Sequence, residues 1–247
     1  MTEVQLRLAL GTCNGPEHGG VFQVVVQNVA SEKRVSIWAE SDGHWSEIPA
    51  CFVESLPGNL ELWRAAGGDR KGEFVAKLEA GGHTFWDDNN GRNYRFPEAP
   101  GEINVLTGRA HPVVLADAAF TSRGLRVNVV VTHADNAKAV GILYTVDNWA
   151  TQQVVSGRHA YTATSGAEVW QLDKLLSPAH DVRLAAFCRA AGTEYWDNNF
   201  QRDYSLGLLS EHSRMTTGAL CGALGRNWNP PRPLEPDMGV ELATGMT

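Results

Sequence analysis

Phe85-Trp86-Asp87-Asp88-Asn89-Asn90-Gly91-Arg92-Asn93-Tyr94 returns later in the chain as Tyr195-Trp196-Asp197-Asn198-Asn199-Phe200-Gln201-Arg202-Asp203-Tyr204. Upstream, Val24-Val25-Val26 answers Val129-Val130-Val131, Lys33 answers Lys138, Val35 answers Val140 and Ile37 answers Ile142. Asp42-Gly43-His44-Trp45 corresponds to Asp147-Asn148-Trp149, with one residue more in the first copy, and Glu61-Leu62-Trp63 corresponds to Glu168-Val169-Trp170. The pairs keep one order and their spacing drifts only by loop-sized steps, the pattern of an internal duplication. Two modules are expected, over 3–98 and 111–208, divided by the turn-rich Pro97-Glu98-Ala99-Pro100-Gly101.

The repeat also decides the secondary structure. Val4, Leu6, Leu8 and Leu10 alternate along the first copy, the period-2 pattern of a half-buried strand. Val21–Val29 and Leu125–Thr132 are Val-rich runs of strand length, and Val35–Ala39 and Val140–Thr145 follow after short polar turns, as hairpins do. Asp181–Ala191, rich in Ala, Leu and Arg, reads by itself as a helix. Its counterpart Glu73–Ala80 alternates instead, with Phe74, Ala76 and Leu78 on one side and Lys77 and Glu79 on the other. Two copies of one fold must agree, so both are assigned to strands. The expected fold class is all-β: two tandem immunoglobulin-like antiparallel β-sandwiches. A flexible C-terminal tail over 209–247 is expected to be disordered, from its Gly, Pro, Thr and Met content and from Asn229-Pro230-Pro231-Arg232-Pro233 at its middle.

Composition removes several classes of function. With 21 Lys and Arg against 28 Asp and Glu, the net charge of −7 offers no basic face to nucleic acid or to an anionic membrane. No apolar run approaches the roughly 18–20 residues that span a bilayer. Met1-Thr2-Glu3-Val4-Gln5-Leu6-Arg7 lacks a basic stretch leading into an apolar one, so a cytoplasmic location is expected. Cys13, Cys51, Cys188 and Cys221 lie far apart, which predicts small apolar filler and no zinc site. The histidines form no H-x-x-H or H-E-x-x-H, and the Asp-Asp-Asn-Asn run lacks the ligand set of a calcium loop. No catalytic residue, metal or cofactor is expected, and the small modules leave little room for the opposed carboxylates of a glycosidase.

Recurring Trp, Asp, Asn and Tyr suit a sugar. The C–H face of a pyranose fits flat on an indole or phenol ring, and its vicinal hydroxyls match the side-by-side donors and acceptors of Asn and Asp. Trp86 and Trp196 admit two readings, an exposed platform or a buried sandwich tryptophan, and Asp87 and Asn89 could equally cap a turn. Asp42, Trp45, Asp147 and Trp149 sit among loop-type residues and are expected at the surface. Trp63 and Trp170 are expected in the core, and Trp38, with Leu143 opposite it in the second copy, is assigned to packing. Lys33 and Lys138 lie in turns, where a lysine is solvated or touches ligand.

Taken together these residues resemble carbohydrate-binding module family 21, the starch- and glycogen-binding module of some amylolytic enzymes and of glycogen-targeting phosphatase subunits. The first copy follows the family pattern with Asn28, Lys33, Val35, Trp45 and Trp86 through Tyr94, carrying Asp88 where Asn is usual. The second keeps Asp147-Asn148-Trp149 and Trp196-Asp197-Asn198-Asn199, with Gln201 and Asp203 in place of the family's Gly and Asn. The resemblance covers nearly all of 3–208 and implies a β-sandwich that binds α-glucan: glycogen, starch or maltooligosaccharides. It implies as contacts Lys33, Asp42, Trp45, Trp86, Asp87, Asn89, Asn93 and Tyr94 in the first copy. In the second it implies Lys138, Asp147, Trp149, Trp196, Asp197, Asn198, Asn199 and Tyr204. One shallow stacking site is expected to bind at about 1 mM, and two tethered sites on one polymer to gain about 10²–10⁴ in avidity. The alternative is a glycogen-targeting adaptor that recruits another protein, such as a phosphatase. The tail is the place for an unidentified protein partner. The basic-Val-x-aromatic docking peptide of the phosphatase-targeting relatives has only Arg34-Val35-Ser36-Ile37 to match it, without the aromatic, and is not carried over.

Overall fold

A computed structural model describes residues 2–12, 19–67, 72–96, 104–132, 138–177, 181–207 and 214–216. Every helix or strand among them is a strand, so the chain is all-β. The first half contains β1 (Val4–Thr12), β2 (Gly19–Gln27), β3 (Lys33–Ser41), β4 (His44–Leu56), β5 (Leu60–Gly67), β6 (Gly72–Ala80), β7 (His83–Asp87), β8 (Tyr94–Phe96) and β9 (Asn104–Thr107). The second contains β10 (Val113–Thr121), β11 (Gly124–Val131), β12 (Lys138–Thr145), β13 (Gln153–Ser156), β14 (Arg158–Thr162), β15 (Glu168–Lys174), β16 (Val182–Ala190), β17 (Thr193–Asp197), β18 (Tyr204–Leu206) and β19 (Arg214–Thr216).

The duplication is visible in the topology. The first half runs β7-β6-β3-β4-β5-β2-β1-β9, with β8 on β6. The second runs β17-β16-β12-β13 and β14-β15-β11-β10-β19, with β18 on β16, which is the same order strand for strand. Long β4 pairs with β3 through Pro49 and with β5 from Ala50 onward, so one strand serves both layers. The second copy divides that strand at Gly157, whose N–H donates to the Val140 carbonyl at 2.7 Å. Each half has its own core. Phe22, Val24 and Val26 meet Val35, Ile37, Ala76 and Leu78 in the first. Val127, Val129 and Val131 meet Val140, Ile142, Leu184 and Ala186 in the second. Trp63 and Trp170 pack against these clusters from their edges.

The helix-like stretch is strand β16. Its burial does not alternate, because Ala185 and Phe187 are buried although they face away from the core residues Leu184, Ala186 and Cys188. Phe187 lies beneath Trp196 and against Gly141, where a Cβ would stand 2.6 Å from its ring. A strand covered on both faces loses the period that identifies it. Of the cysteines, Cys188 is buried and Cys51 is exposed; Cys13 and Cys221 lie outside the described residues.

Each half reaches past its expected limit. β9 pairs with β1 and β19 pairs with β10, so segments read as linker and tail supply the last strand of each sheet. Pairing of three or four residues through their backbones leaves no hydrophobic period to detect. The rest of 209–247 lies outside the described residues.

The halves touch. Leu8, Val21 and Val105 form one apolar cluster with Val114, Val130, Ala163, Ala167 and Val169. The connection crosses β1 closely: Gly108 donates to the Arg7 carbonyl at 3.1 Å, and a Cβ on Gly108 would stand 1.6 Å from the Leu6 carbonyl oxygen. Gly108→Ala must push the connection off β1. We expect it to cost about 1–3 kcal/mol, read as a lower urea midpoint; an unchanged midpoint would show that the crossing yields freely.

Candidate functional site

The repeated motif builds the same loop twice. Asp87 accepts from the Leu6 N–H at 2.7 Å and from the Tyr94 hydroxyl at 3.0 Å, and its other oxygen accepts from the Asn89 N–H at 3.3 Å. Asp197 accepts from the Leu115 N–H at 2.7 Å, the Tyr204 hydroxyl at 2.8 Å and the Asn199 N–H at 3.3 Å. The Asn89 and Asn199 amides donate to the carbonyls of Asn93 and Asp203 at 3.0 and 3.1 Å. These carboxylates hold β1 and β10 at matching bulges, between Leu6 and Leu8 and between Leu115 and Asp117. The loop runs left-handed at Asn89, Asn90, Gly91 and Asn93, which favours Asn and Gly there. Tyr94 and Tyr204 are each 4% exposed. Much of the motif's hydrogen-bonding capacity is therefore engaged within the fold, and Asn93 donates to Glu73 at 2.7 Å.

The two loops differ in what covers them. The second takes left-handed φ at Phe200 and Gln201, a conformation that costs non-glycine residues energy and needs support from its surroundings. The support comes from the other half. Phe200 packs on Val25, Leu56, Leu60 and Leu62, and Arg202 pairs with Glu54 at 2.9 Å. Arg7, 3% exposed, donates to Asp197 at 2.9 Å, to Gln23 at 2.6 Å and to the Tyr204 hydroxyl. The second copy's motif loop is thus the junction between the halves. Burial, with Asp197 alongside, pushes the Tyr204 hydroxyl well above its ordinary value.

Both lysines lie inside. Lys33 pairs with Glu61 at 2.9 Å and donates to Asn28, and Lys138 pairs with Glu168 at 2.7 Å. The same glutamates accept from the Trp63 and Trp170 ring N–H groups at 2.9 and 2.8 Å. The ion pair offsets the cost of burying each ammonium, and neither lysine side chain is more than 7% exposed.

An open aromatic face remains. Along β3, Val35, Ile37 and Ala39 enter the core, so Ser36, Trp38 and Glu40 face outward. Register places Trp45 opposite Glu40, Glu47 opposite Trp38, and Trp86 opposite Lys77. The outer surface of β4-β3-β6-β7 therefore carries Trp45, Trp38 and Trp86 together, with Trp45 and Trp86 43% and 47% exposed. Trp38 and Trp86 meet edge to face at 6.2 Å. Asp42 and Gly43, both at positive φ, form the tight turn that brings β4 back beside β3.

The second copy presents a different surface. Trp196 is 44% exposed and rests on Phe187, while Leu143 and Val154 stand where the first copy has Trp38 and Glu47. Trp149 is half-buried at φ 71°, and its ring N–H donates to Asp203 at 2.8 Å, so it lies on the motif loop. Asp147 is exposed and closes a turn: bonds from the Thr145 hydroxyl, then from Thr151, hold its carboxyl down at about 2. Asn198 accepts from the Gln201 N–H at 3.0 Å.

Sequence reasoning missed Trp38 and Lys77 as members of the face. Strand parity could have found them, since both stand on the polar side of their strands. Among the described residues no group of His, Cys, Asp and Glu could hold a metal ion, and no helix is long and apolar enough to cross a membrane.

No family model matches the chain. The sequence is similar to protein phosphatase 1 regulatory subunit 3B of Bos taurus, 29% identical over 106 residues, 36% of this chain and 34% of that one. The chain spans about a third of the length of the curated relative it matches. Among solved structures it is similar to the starch binding domain of Rhizopus oryzae glucoamylase, solved with beta-cyclodextrin and maltoheptaose. That match has 28% identity and a TM-score of 0.33, and covers 39% of this chain and 94% of the other. It is also similar to the carbohydrate binding module of the muscle glycogen-targeting subunit of Protein Phosphatase-1. There the identity is 20% and the TM-score 0.32, over 44% of this chain and 79% of the other.

Proposed function

We propose that the chain binds α-glucan, as glycogen, starch or maltooligosaccharides, and performs no chemistry on it. The observation that carries this reading is the outward cluster of Trp45, Trp38 and Trp86, ring surface left facing water on an otherwise regular sheet face. A pyranose C–H face stacks on such rings. Trp196 is the second platform, and the exposed Asn90 and half-buried Asn198, which follow the two motif tryptophans in the chain, are the amides to receive hydroxyls. In this reading Lys33, Lys138, Asp87, Asp197, Tyr94 and Tyr204 shape the site from within and do not touch sugar. Two platforms on one chain give avidity on a polymer.

Co-sedimentation tests the proposal. The full chain should pellet with glycogen and amylose and not with cellulose. Trp45→Ala combined with Trp86→Ala should weaken pelleting at least about tenfold, equivalent to about 1.4 kcal/mol, with an unchanged far-ultraviolet circular dichroism spectrum. Failure of the parent chain to pellet with glycogen, or equal binding to cellulose, would sink it; undiminished binding by the folded double variant would remove this aromatic face as the site.

A second reading, an adaptor that carries another protein such as a phosphatase to the polymer, is favoured by the similarity to a phosphatase regulatory subunit. Arg34-Val35-Ser36-Ile37 is a poor docking peptide for it, because Val35, Ser36 and Ile37 are buried in β3 between two neighbouring strands.

A further inference from the structure

We propose that Lys77 is a positioning residue of the aromatic face, its ammonium holding the Trp86 and Trp38 rings in the attitude that receives a sugar. The inference rests on the glucan-binding reading above. Lys77 stands directly opposite Trp86 in the β6–β7 register and one diagonal step from Trp38 on β3. Its Nζ lies 5.3 Å from the Trp86 ring centroid and 5.1 Å from that of Trp38. The two rings meet at an interplanar angle of 71°.

A lysine on an outward strand face is ordinarily solvated, yet this side chain is only 11% exposed, and Glu79 fixes its Nζ from the side at 2.6 Å. An ammonium against the negative face of an indole is attracted by the ring quadrupole. Held between two indoles it restrains both. An exposed tryptophan packed on one edge would otherwise sample several rotamers, and binding would have to freeze them. The second copy makes the same provision by other means. There Phe187 takes the place of Lys77, with its ring centroid 5.5 Å from that of Trp196. Both copies therefore brace the motif tryptophan from the opposite strand, one with a cation and one with a ring.

The test uses the full chain titrated with maltoheptaose, with near-ultraviolet circular dichroism reporting the coupled Trp38–Trp86 pair. Lys77→Met keeps the aliphatic stem and removes the charge. It should weaken binding about fivefold and alter the near-ultraviolet signal, with the far-ultraviolet spectrum unchanged. Lys77→Arg should restore both readouts, which a purely structural role would not require. If Lys77→Met binds as tightly as the parent while Trp86→Ala loses binding, the role of Lys77 is overturned and the glucan reading stands. If Trp86→Ala itself binds undiminished, the sugar does not sit on this face and this inference falls. If the parent chain does not bind maltoheptaose, the glucan reading falls and this inference falls with it.

Discussion

Asp197→Ala should lower stability by about 3–5 kcal/mol, well beyond the cost of the matching change Asp87→Ala. The two carboxylates do the same local work, each holding a bulged strand through a backbone N–H and binding the hydroxyl of the motif tyrosine. Only Asp197 also neutralises a guanidinium buried between the halves. Removing it leaves Arg7, 3% exposed, with a charge facing Gln23, Tyr204 and the Phe200 ring and no anion among the described residues. Asp87→Ala strands only neutral donors, for about 1–3 kcal/mol. Paired denaturation curves decide the matter, and equal losses would mean that the Arg7 pair contributes little. Arg7→Met placed in the Asp197→Ala background should recover part of the loss, because the uncompensated charge is then gone.

Acidification should open the same junction. His111 stands beside Phe200 with ring centroids 6.0 Å apart, and its Nε2 has no hydrogen-bond partner among the described residues. Burial, reinforced by Arg7 and opposed in part by Asp197, pulls its pKa from 6.5 down to about 4. The unfolded chain therefore takes up this proton first as pH falls. The neutral imidazole costs nothing above pH 6.5; below it stability drops with each unit and levels off near pH 4. The integrated loss is about 3 kcal/mol. Stability measured against pH for the parent and for His111→Phe should diverge across that window, with the variant flatter. Parallel curves would show that His111 titrates normally. Asp147 acts lower on the scale, since its carboxyl is held at about 2, so its contribution fades only below its ordinary value of 3.8.

Particular residues show what the sequence discloses and what it withholds. The period-2 run at Glu73–Ala80 announces a strand because Phe74, Ala76 and Leu78 meet one core. The run Val4–Leu10 also announces a strand, but the bulge between Leu6 and Leu8 changes its face, so Val4 and Leu6 enter the first core while Leu8 and Leu10 join the cluster between the halves. Asp181–Ala191 misleads because β16 is covered on both faces. Asp87 and Tyr94 read as ligand groups in the sequence. In the fold the half-buried Asp87 carboxylate accepts from the Leu6 N–H and the Tyr94 hydroxyl, a use that has the same residue composition as a grip on a sugar hydroxyl. Trp38 looks like packing because Leu143 occupies its place in the other copy, although the two outer faces have diverged.

From the amino-acid order alone come the duplication, the all-β class and the identity of the repeated Trp-Asp-Asn loops, all of them carried by local period and repetition. Tertiary structure alone decides that one loop leaves its tryptophan beside an open aromatic face while the other closes the junction between the halves. Arg7 and Asp197 meet across 190 positions of chain. Burial depends on which surfaces come together, and no local pattern records that.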